Sequence, residues 1–338
     1  MKRIFAASTL ALALIAGSTA VAGPEHKDHK EMTKAKAAPT LADFVELPEL
    51  SIGSSAPKLA IAKFVKGESV TDFEEGQVYV VEFWATWCGP CVAAFPHLSK
   101  LQEEHGEAVR FIGVNVWEGV EDMGERITKI ENFVADQGDR MSYTVAIEDG
   151  SAMADTWMKP AAQNGIPAAF IVDGTGHIAW VGHPGSIDEP LADVIEGNFD
   201  ATDAKNGMLM MAGFSKFQQL IQTGKDLGDA RQIASLLINN HLGNEPGGLN
   251  AIAWMILTAE SKDIGEADYK IAHKAIAIAC ENTEWKDWSL LDTYALAAFK
   301  VGHKEEAIKW QKKALELAPT DNPEIVKELQ GRLAEFEG

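Results

Sequence analysis

The chain has 338 residues, of which 46% are hydrophobic, and a formal net charge of −20. That length suggests about two domains, each with enough apolar residues for a core of its own. The acidic balance excludes nucleic-acid binding through a basic patch, because a phosphate backbone needs Lys and Arg arrayed against it.

Residues 1–22 have the pattern of an export signal. Lys2 and Arg3 are followed by an apolar run from Ile4 to Ala16, and Ala20-Val21-Ala22 offers a small-x-small cleavage site before Gly23. The apolar run is too short to span a bilayer comfortably, and every later apolar run is short, so no transmembrane segment is expected. Residues 23–45 read as a disordered, charged linker. His26 and His29 lie in it and read as part of a solvated tail.

From 46 to 192, strand-like and helix-like segments alternate. A strand is predicted from Leu59 to Val65, and a second from Gln77 to Trp84 that is apolar enough to be covered on both faces. Cys91 to Glu104 carries Val92, Phe95, Leu98 and Leu101 at helical spacing. A buried strand is predicted from Val109 to Val116, a helix from Met123 to Asp136, a strand from Tyr143 to Ile147 and a short helix from Ser151 to Met158. Ala168–Val172 and His177–Val181 flank Asp173-Gly174-Thr175-Gly176 as a hairpin. A βαβ unit followed by an antiparallel pair predicts an α/β domain with a mixed central sheet and helices on both faces.

Trp87-Cys88-Gly89-Pro90-Cys91 stands where the strand ends and the first helix begins. Two cysteines at this spacing can form a disulfide or half of a metal site. A structural zinc site needs further Cys or His ligands at suitable spacing, and none accompany this pair, so no metal is expected. Haem attachment needs His after the second cysteine, and Val92 stands there. The redox reading fits the placement. Cys88 at a helix N-terminus gains from unpaired N–H groups and the helix dipole, which favour a thiolate. Cys91, one turn in, would be the resolving thiol, and Pro90 stiffens the spacer. Cys280, the third cysteine, reads as a buried bystander.

Glu82 puts a carboxylate inside a buried strand, which is costly without a task or a partner. Burial would raise its pKa and make it a candidate proton acceptor for Cys91 through water. The alternative is a strand-edge carboxylate reaching solvent. Gly165-Ile166-Pro167 precedes the strand at 168. A cis Pro167 would turn the backbone of Ile166 toward the cysteines, ready to pair with an extended substrate.

The stretch Val81-Glu82-Phe83-Trp84-Ala85-Thr86-Trp87-Cys88-Gly89-Pro90-Cys91, with Phe95-Pro96 and Gly165-Ile166-Pro167-Ala168, resembles the thioredoxin superfamily, and within it the exported TlpA/ResA-like thiol:disulfide oxidoreductases. The resemblance covers roughly residues 46–190. It implies a thioredoxin fold, with Cys88 as attacking thiolate, Cys91 as resolving thiol and Pro167 as the cis-proline opposite them. It also implies that Trp87, Gly89, Pro90, Ile166 and Pro167 form the substrate-facing surface. Glu82 falls where thioredoxins proper carry a buried Asp. Some exported relatives carry a Glu three residues after the second cysteine, where this chain has Ala94. Their device for a dedicated role in cytochrome c maturation is therefore missing. Peroxiredoxins share the opening Gly53-Ser54-Ser55-Ala56-Pro57 but place Thr three residues before the attacking cysteine. Here that residue is Ala85 and Thr86 is one position late.

From 200 to 338 there is no strand-like run. Phe214, Phe217, Leu220 and Ile221 form one helical stripe, and Ile233, Leu236 and Leu237 another. Asn239 to Gly248 reads as a loop. Leu291 to Pro319, with Gly302, Ala307, Ala314 and Pro319 at fixed offsets, resembles a tetratricopeptide repeat, and Leu249 to Cys280 reads as a degenerate copy. Stacked helix pairs of that kind present a surface that binds protein.

The expectation from sequence is thus an exported, periplasmic protein-disulfide oxidoreductase. It uses no cofactor beyond the Cys88–Cys91 pair, is re-reduced by another envelope protein, and carries an all-α, tetratricopeptide-like helical-repeat domain. The alternatives are a helical adaptor with a redox-inert scaffold and a thiol peroxidase.

Overall fold

A computed structural model describes residues 38–338. The export signal and most of the predicted linker lie outside the described residues. Six strands form one mixed sheet: β1 Ile61–Lys66, β2 Val78–Trp84, β3 Val109–Asn115, β4 Thr144–Glu148, β5 Ala168–Val172 and β6 Ile178–Gly182. Their order is β1-β4-β3-β2-β5-β6. β2, β3 and β4 run parallel, while β1, β5 and β6 are antiparallel to their neighbours. The three parallel strands are the βαβ part of the sequence pattern. The hairpin β5–β6 turns back on Asp173, whose carboxylate accepts from the N–H groups of Thr175 and His177.

Strand β2 is the axis of the sheet. All seven of its residues are buried, which accounts for its unbroken apolar run. Its side chains alternate between the two faces. Val78, Val80 and Trp84 point to the face covered by helices α1 (Gly89–His105) and α2 (Met123–Gln137), joined there by Leu191 of α3 (Asp188–Glu196). Tyr79, Val81 and Phe83 point to the other face. There they meet Trp157 and Met158, from a π-helical turn over Ala154–Met158, together with Leu50 and Val70. Burial of each large apolar side chain stabilises the fold by about 1.5–3 kcal/mol before entropy is counted.

After β6 every element is helical: α4 (Ala201–Thr223), α5 (Leu227–Asn240), α6 (Pro246–Leu257), α7 (Glu266–Asn282), α8 (Trp288–Lys300), α9 (Lys304–Leu317) and α10 (Pro323–Glu337). Successive helices pack as pairs, α4 on α5, α6 on α7 and α8 on α9, with α10 against α9. The loop expected over 239–248 narrows to five residues, because α5 runs to Asn240 and Pro246 starts α6, where its missing N–H costs no helical bond. Ala275, Ala279, Ala307 and Ala314 are fully buried where helices approach closely. Cys280 is buried and free, and burial pushes its thiol up to about 12. Among the described residues no helix is long and apolar enough to cross a membrane.

The expectation of a disordered linker reaching residue 45 does not hold at its end. Leu41–Asp43 form a short 3-10 turn closed by a capping box between Thr40 and Asp43. Leu41 is buried in the helical core beside Leu237, and a side chain at Gly213 would run into it. Leu41, with Phe44 packed beside it against the same cluster, docks the segment.

Candidate functional site

The site lies at the C-terminal end of β2, where β2 passes into α1 and the adjacent β3 also ends. This is where an open α/β sheet places its functional groups. Cys88 is the N-cap of α1 and Pro90 sits in its first turn. The backbone N–H of Cys91 donates to Cys88 Sγ at 3.2 Å. Cys88 and Cys91 are joined as a disulfide, with Cα atoms 5.3 Å apart. The same N–H is therefore positioned to stabilise a Cys88 thiolate once the bond is opened. Both cysteines belong to the apolar cluster beneath α1, while Trp87 beside them is the most exposed aromatic residue of the site, at 60%.

The loop ahead of Cys88 is held from below. Glu118 is buried and takes hydrogen bonds from the Thr86 N–H at 3.1 Å, the Thr86 hydroxyl and Asn115 Nδ2 at 2.8 Å. Lys129 Nζ adds an ion pair at 2.6 Å. Burial works against the Glu118 charge, and the bonds from Asn115, Lys129 and Thr86 outweigh it, so its carboxyl lies below the usual range. Asn115 is itself fixed by Arg126, whose Nη2 donates to the Asn115 carbonyl at 2.9 Å. Trp117 adopts a left-handed φ of 52°, and its carbonyl accepts from Trp87 Nε1 at 2.9 Å. Trp117 and Glu118 are absent from the site expected from sequence. Their one signal is position, directly after the strand neighbouring β2. Their contacts depend on a backbone turn that residue types alone do not reveal.

Glu82 is not at a sheet edge. It pairs in register with Gly113 of β3 and Ala169 of β5 and is almost wholly buried. The period of two puts it with Val80 and Trp84 on the face that carries the cysteines. Neither carboxylate oxygen has a hydrogen-bond partner among the described residues, and burial pushes its pKa well up. Gly113 makes the space: a Cβ there would lie 2.9 Å from the Tyr143 ring, 3.3 Å from Trp84 Nε1 and 3.4 Å from Glu82 Oε2. Glu82, Trp84 Nε1 and the Tyr143 hydroxyl thus converge on one buried polar spot within an otherwise apolar layer. Burial and the nearby Glu82 also push the Tyr143 hydroxyl well up, so it stays protonated.

The Ile166–Pro167 bond is cis. Ile166 packs against the cluster that contains Cys88 and Cys91. Gly89 is open above, with nothing near where a side chain would stand, and Ala94 leaves no carboxylate on the first turns of α1. The Thr86 hydroxyl, the group closest to a peroxidase-type threonine, is bonded to Glu118.

A mixed sheet of this topology, with a disulfide-forming Cys-Gly-Pro-Cys at the N-terminus of its first long helix and a cis-proline, defines a thioredoxin-like domain. Residues 52–181 match the profile of the AhpC/TSA family. Protein FixW of Rhizobium leguminosarum is 26% identical over 174 residues, which are 51% of this chain and 78% of that protein. The thiol:disulfide interchange protein HelX of Rhodobacter capsulatus is 29% identical over 135 residues, 39% of this chain and 68% of that protein. Among solved structures, a thiol-disulfide isomerase from Corynebacterium glutamicum aligns with a TM-score of 0.35 and 22% identity, over 43% of this chain and 96% of that one.

Proposed function

We propose that the chain is a thiol:disulfide oxidoreductase that reduces disulfides in other proteins. The observation that carries this reading is the Cys88–Cys91 disulfide at the start of α1, with the Cys91 N–H on Cys88 Sγ. In its reduced form the Cys88 thiolate attacks one sulfur of a substrate disulfide. A mixed disulfide forms and the first substrate thiolate leaves. Cys91 then gives up its proton and attacks Cys88 Sγ, which releases the second substrate thiolate and closes the Cys88–Cys91 bond. Two electrons pass to the substrate, and its two leaving thiolates take up two protons, one given up by Cys91 and one from solvent. Glu82, on the same face and displaced toward its neutral form, is suited to exchange the Cys91 proton.

The names of relatives such as HelX support thiol:disulfide interchange as the reaction class. Gly89-Pro90 is the spacer associated with reducing thioredoxins, which favours reduction over oxidation. Because each turnover leaves Cys88–Cys91 oxidised, an upstream protein dithiol must restore it. The export pattern of residues 1–22 supports the cell envelope as the setting of that exchange. Trp87, Gly89, Pro90, Ile166 and cis-Pro167 form the surface on which an extended substrate would lie. The helix pairs α6–α7 and α8–α9, spaced like tetratricopeptide repeats, would serve a protein partner.

Insulin reduction tests the activity: wild type should turn over, and Cys88→Ser should not. Cys91→Ser should hold Cys88 in mixed disulfides with its substrates, seen as adducts that collapse on adding dithiothreitol. Wild type without turnover would leave the adaptor reading in place. Trapping by Cys88→Ser in place of Cys91→Ser would reverse the two roles.

A further inference from the structure

Three helices of the C-terminal half bring together groups that the redox site does not use. His273 lies on α7, His303 is the N-cap of α9 and Glu306 is the third residue of that helix. One donor atom from each lies within 4.8 Å of the others. His303 Nδ1 and Glu306 Oε2 stand 3.4 Å apart. Two donors each about 2.1 Å from a tetrahedral ion are separated by about that distance.

His273 Nε2 is buried and has no hydrogen-bond partner among the described residues. A buried ring nitrogen in that position is costly unless its lone pair is used. Burial holds the His273 ring below its usual pKa, the nearby His303 adds to this and Glu306 opposes it. The neutral ring is the form that ligates a metal. Tyr294 of α8 completes the arrangement. Its hydroxyl donates to Glu306 Oε1 at 2.8 Å, leaving Oε2 toward His303, and its ring lies 4.9 Å from that of His273. A hydrogen bond that fixes the free oxygen of a ligating carboxylate is the usual outer support of a metal centre. His303 and Glu306 keep 57% and 39% of their side-chain surface exposed, so an ion could enter from solvent and keep a water.

We propose that His273, His303 and Glu306 form a site for a divalent transition ion, with Zn²⁺ the best fit to two imidazoles and one carboxylate. Three protein ligands leave the fourth position open, so the site binds exchangeably. The sequence conceals it, since its ligands come from two helices 30 positions apart and form no short motif.

The test is calorimetric titration of the full chain with ZnCl₂, with Cys88–Cys91 oxidised so that its thiols take no metal. A parallel His26→Ala/His29→Ala variant removes the histidines of the N-terminal tail. We expect one Zn²⁺ per chain, bound more tightly than about 100 μM in both proteins. His303→Ala and Glu306→Gln should each weaken binding about tenfold or more, and Tyr294→Phe by a smaller factor. His303 is exposed, so its variant should keep the wild-type thermal melt without metal. With Co²⁺, wild type should give a visible absorption band that His303→Ala lacks. The proposal is overturned if wild type binds no Zn²⁺ in this range. It is equally overturned if binding survives His303→Ala and Glu306→Gln, or disappears with His26 and His29.

Discussion

Glu82 is a carboxylate with apolar neighbours on both sides of its strand and no partner for its charge among the described residues. In the unfolded chain it titrates near its ordinary 4.5, and burial raises it well above that in the fold. The sign follows. Below about pH 4.5 both states hold the proton and the stability contribution is complete. As pH rises through the folded value, the group must ionise in a dry site and the contribution is lost. Glu82→Leu removes this dependence. The variant should be more stable than wild type at pH 8 by about 1–3 kcal/mol, the penalty for a buried polar group without a partner. The gap should shrink toward pH 5. Urea unfolding at the two pH values measures it, and a gap that does not change with pH would remove the carboxyl as its cause. If Glu82 also exchanges the Cys91 proton, the same variant should reduce insulin more slowly than wild type despite its greater stability.

At the scale of elements, α1 carries a local defect and its repair. Pro96 has no N–H, so the carbonyl of Val92 four residues earlier loses its helical donor. Arg140, from the turn after α2, supplies one: its Nη2 donates to Val92 O at 3.0 Å. Arg140→Ala should cost about 0.5–1.5 kcal/mol. In a Pro96→Ala background, the new N–H at 96 can bond Val92 itself. The Arg140 substitution should then cost measurably less, and urea melts of the four proteins give the coupling. Additive costs would mean that Arg140 acts elsewhere. The C-terminal helices use buried polar contacts in a similar way. Gln311 donates to Asp292 Oδ1 at 2.7 Å while Arg332 pairs with the other Asp292 oxygen, so α8, α9 and α10 are tied by one carboxylate.

Across the whole molecule, legibility followed how locally each feature is determined. Strand β2 was readable because a strand covered on both faces must be apolar throughout. The Cys88–Cys91 centre was readable because strand end, helix start and spacing lie within a dozen residues. Pro167 could be named from sequence, but its cis bond needed the backbone. Glu118 and Trp117 could not be read, since their contact with the Thr86–Trp87 loop depends on how the chain turns after β3. His273 and His303 meet only through the packing of α7 on α8 and the turn into α9. Leu41 escaped for another reason: its short apolar stretch, with Phe44, follows directly on a charged tail and is too brief to show a period. Leu41→Ala should cost about 2 kcal/mol or more. Gly213→Ala should also destabilise wild type, because its methyl would stand 3.0 Å from Leu41 Cδ2. It should be tolerated better when Leu41 is already Ala, and thermal melts of the single and double variants decide this.

The docked Leu41 also changes what kind of object the redox domain is. Among the described residues the chain enters the helical core at Leu41, leaves it to build the sheet from Ile61 to Gly182, and returns at Ala201. Topologically, the thioredoxin-like domain is a loop whose two ends are pinned to the same helical body. While it is folded, its fixed structure holds those ends at a set separation, with no flexible loop to close. Unfolded, it becomes a flexible tether of more than a hundred residues, and closing a loop costs about 0.6 kcal/mol more for each doubling of its length. Whatever keeps the sheet folded therefore also keeps Leu41 close to its seat on the helices. Unfolding of the sheet would thus be felt as a fall in effective concentration at a contact that touches no sulfur.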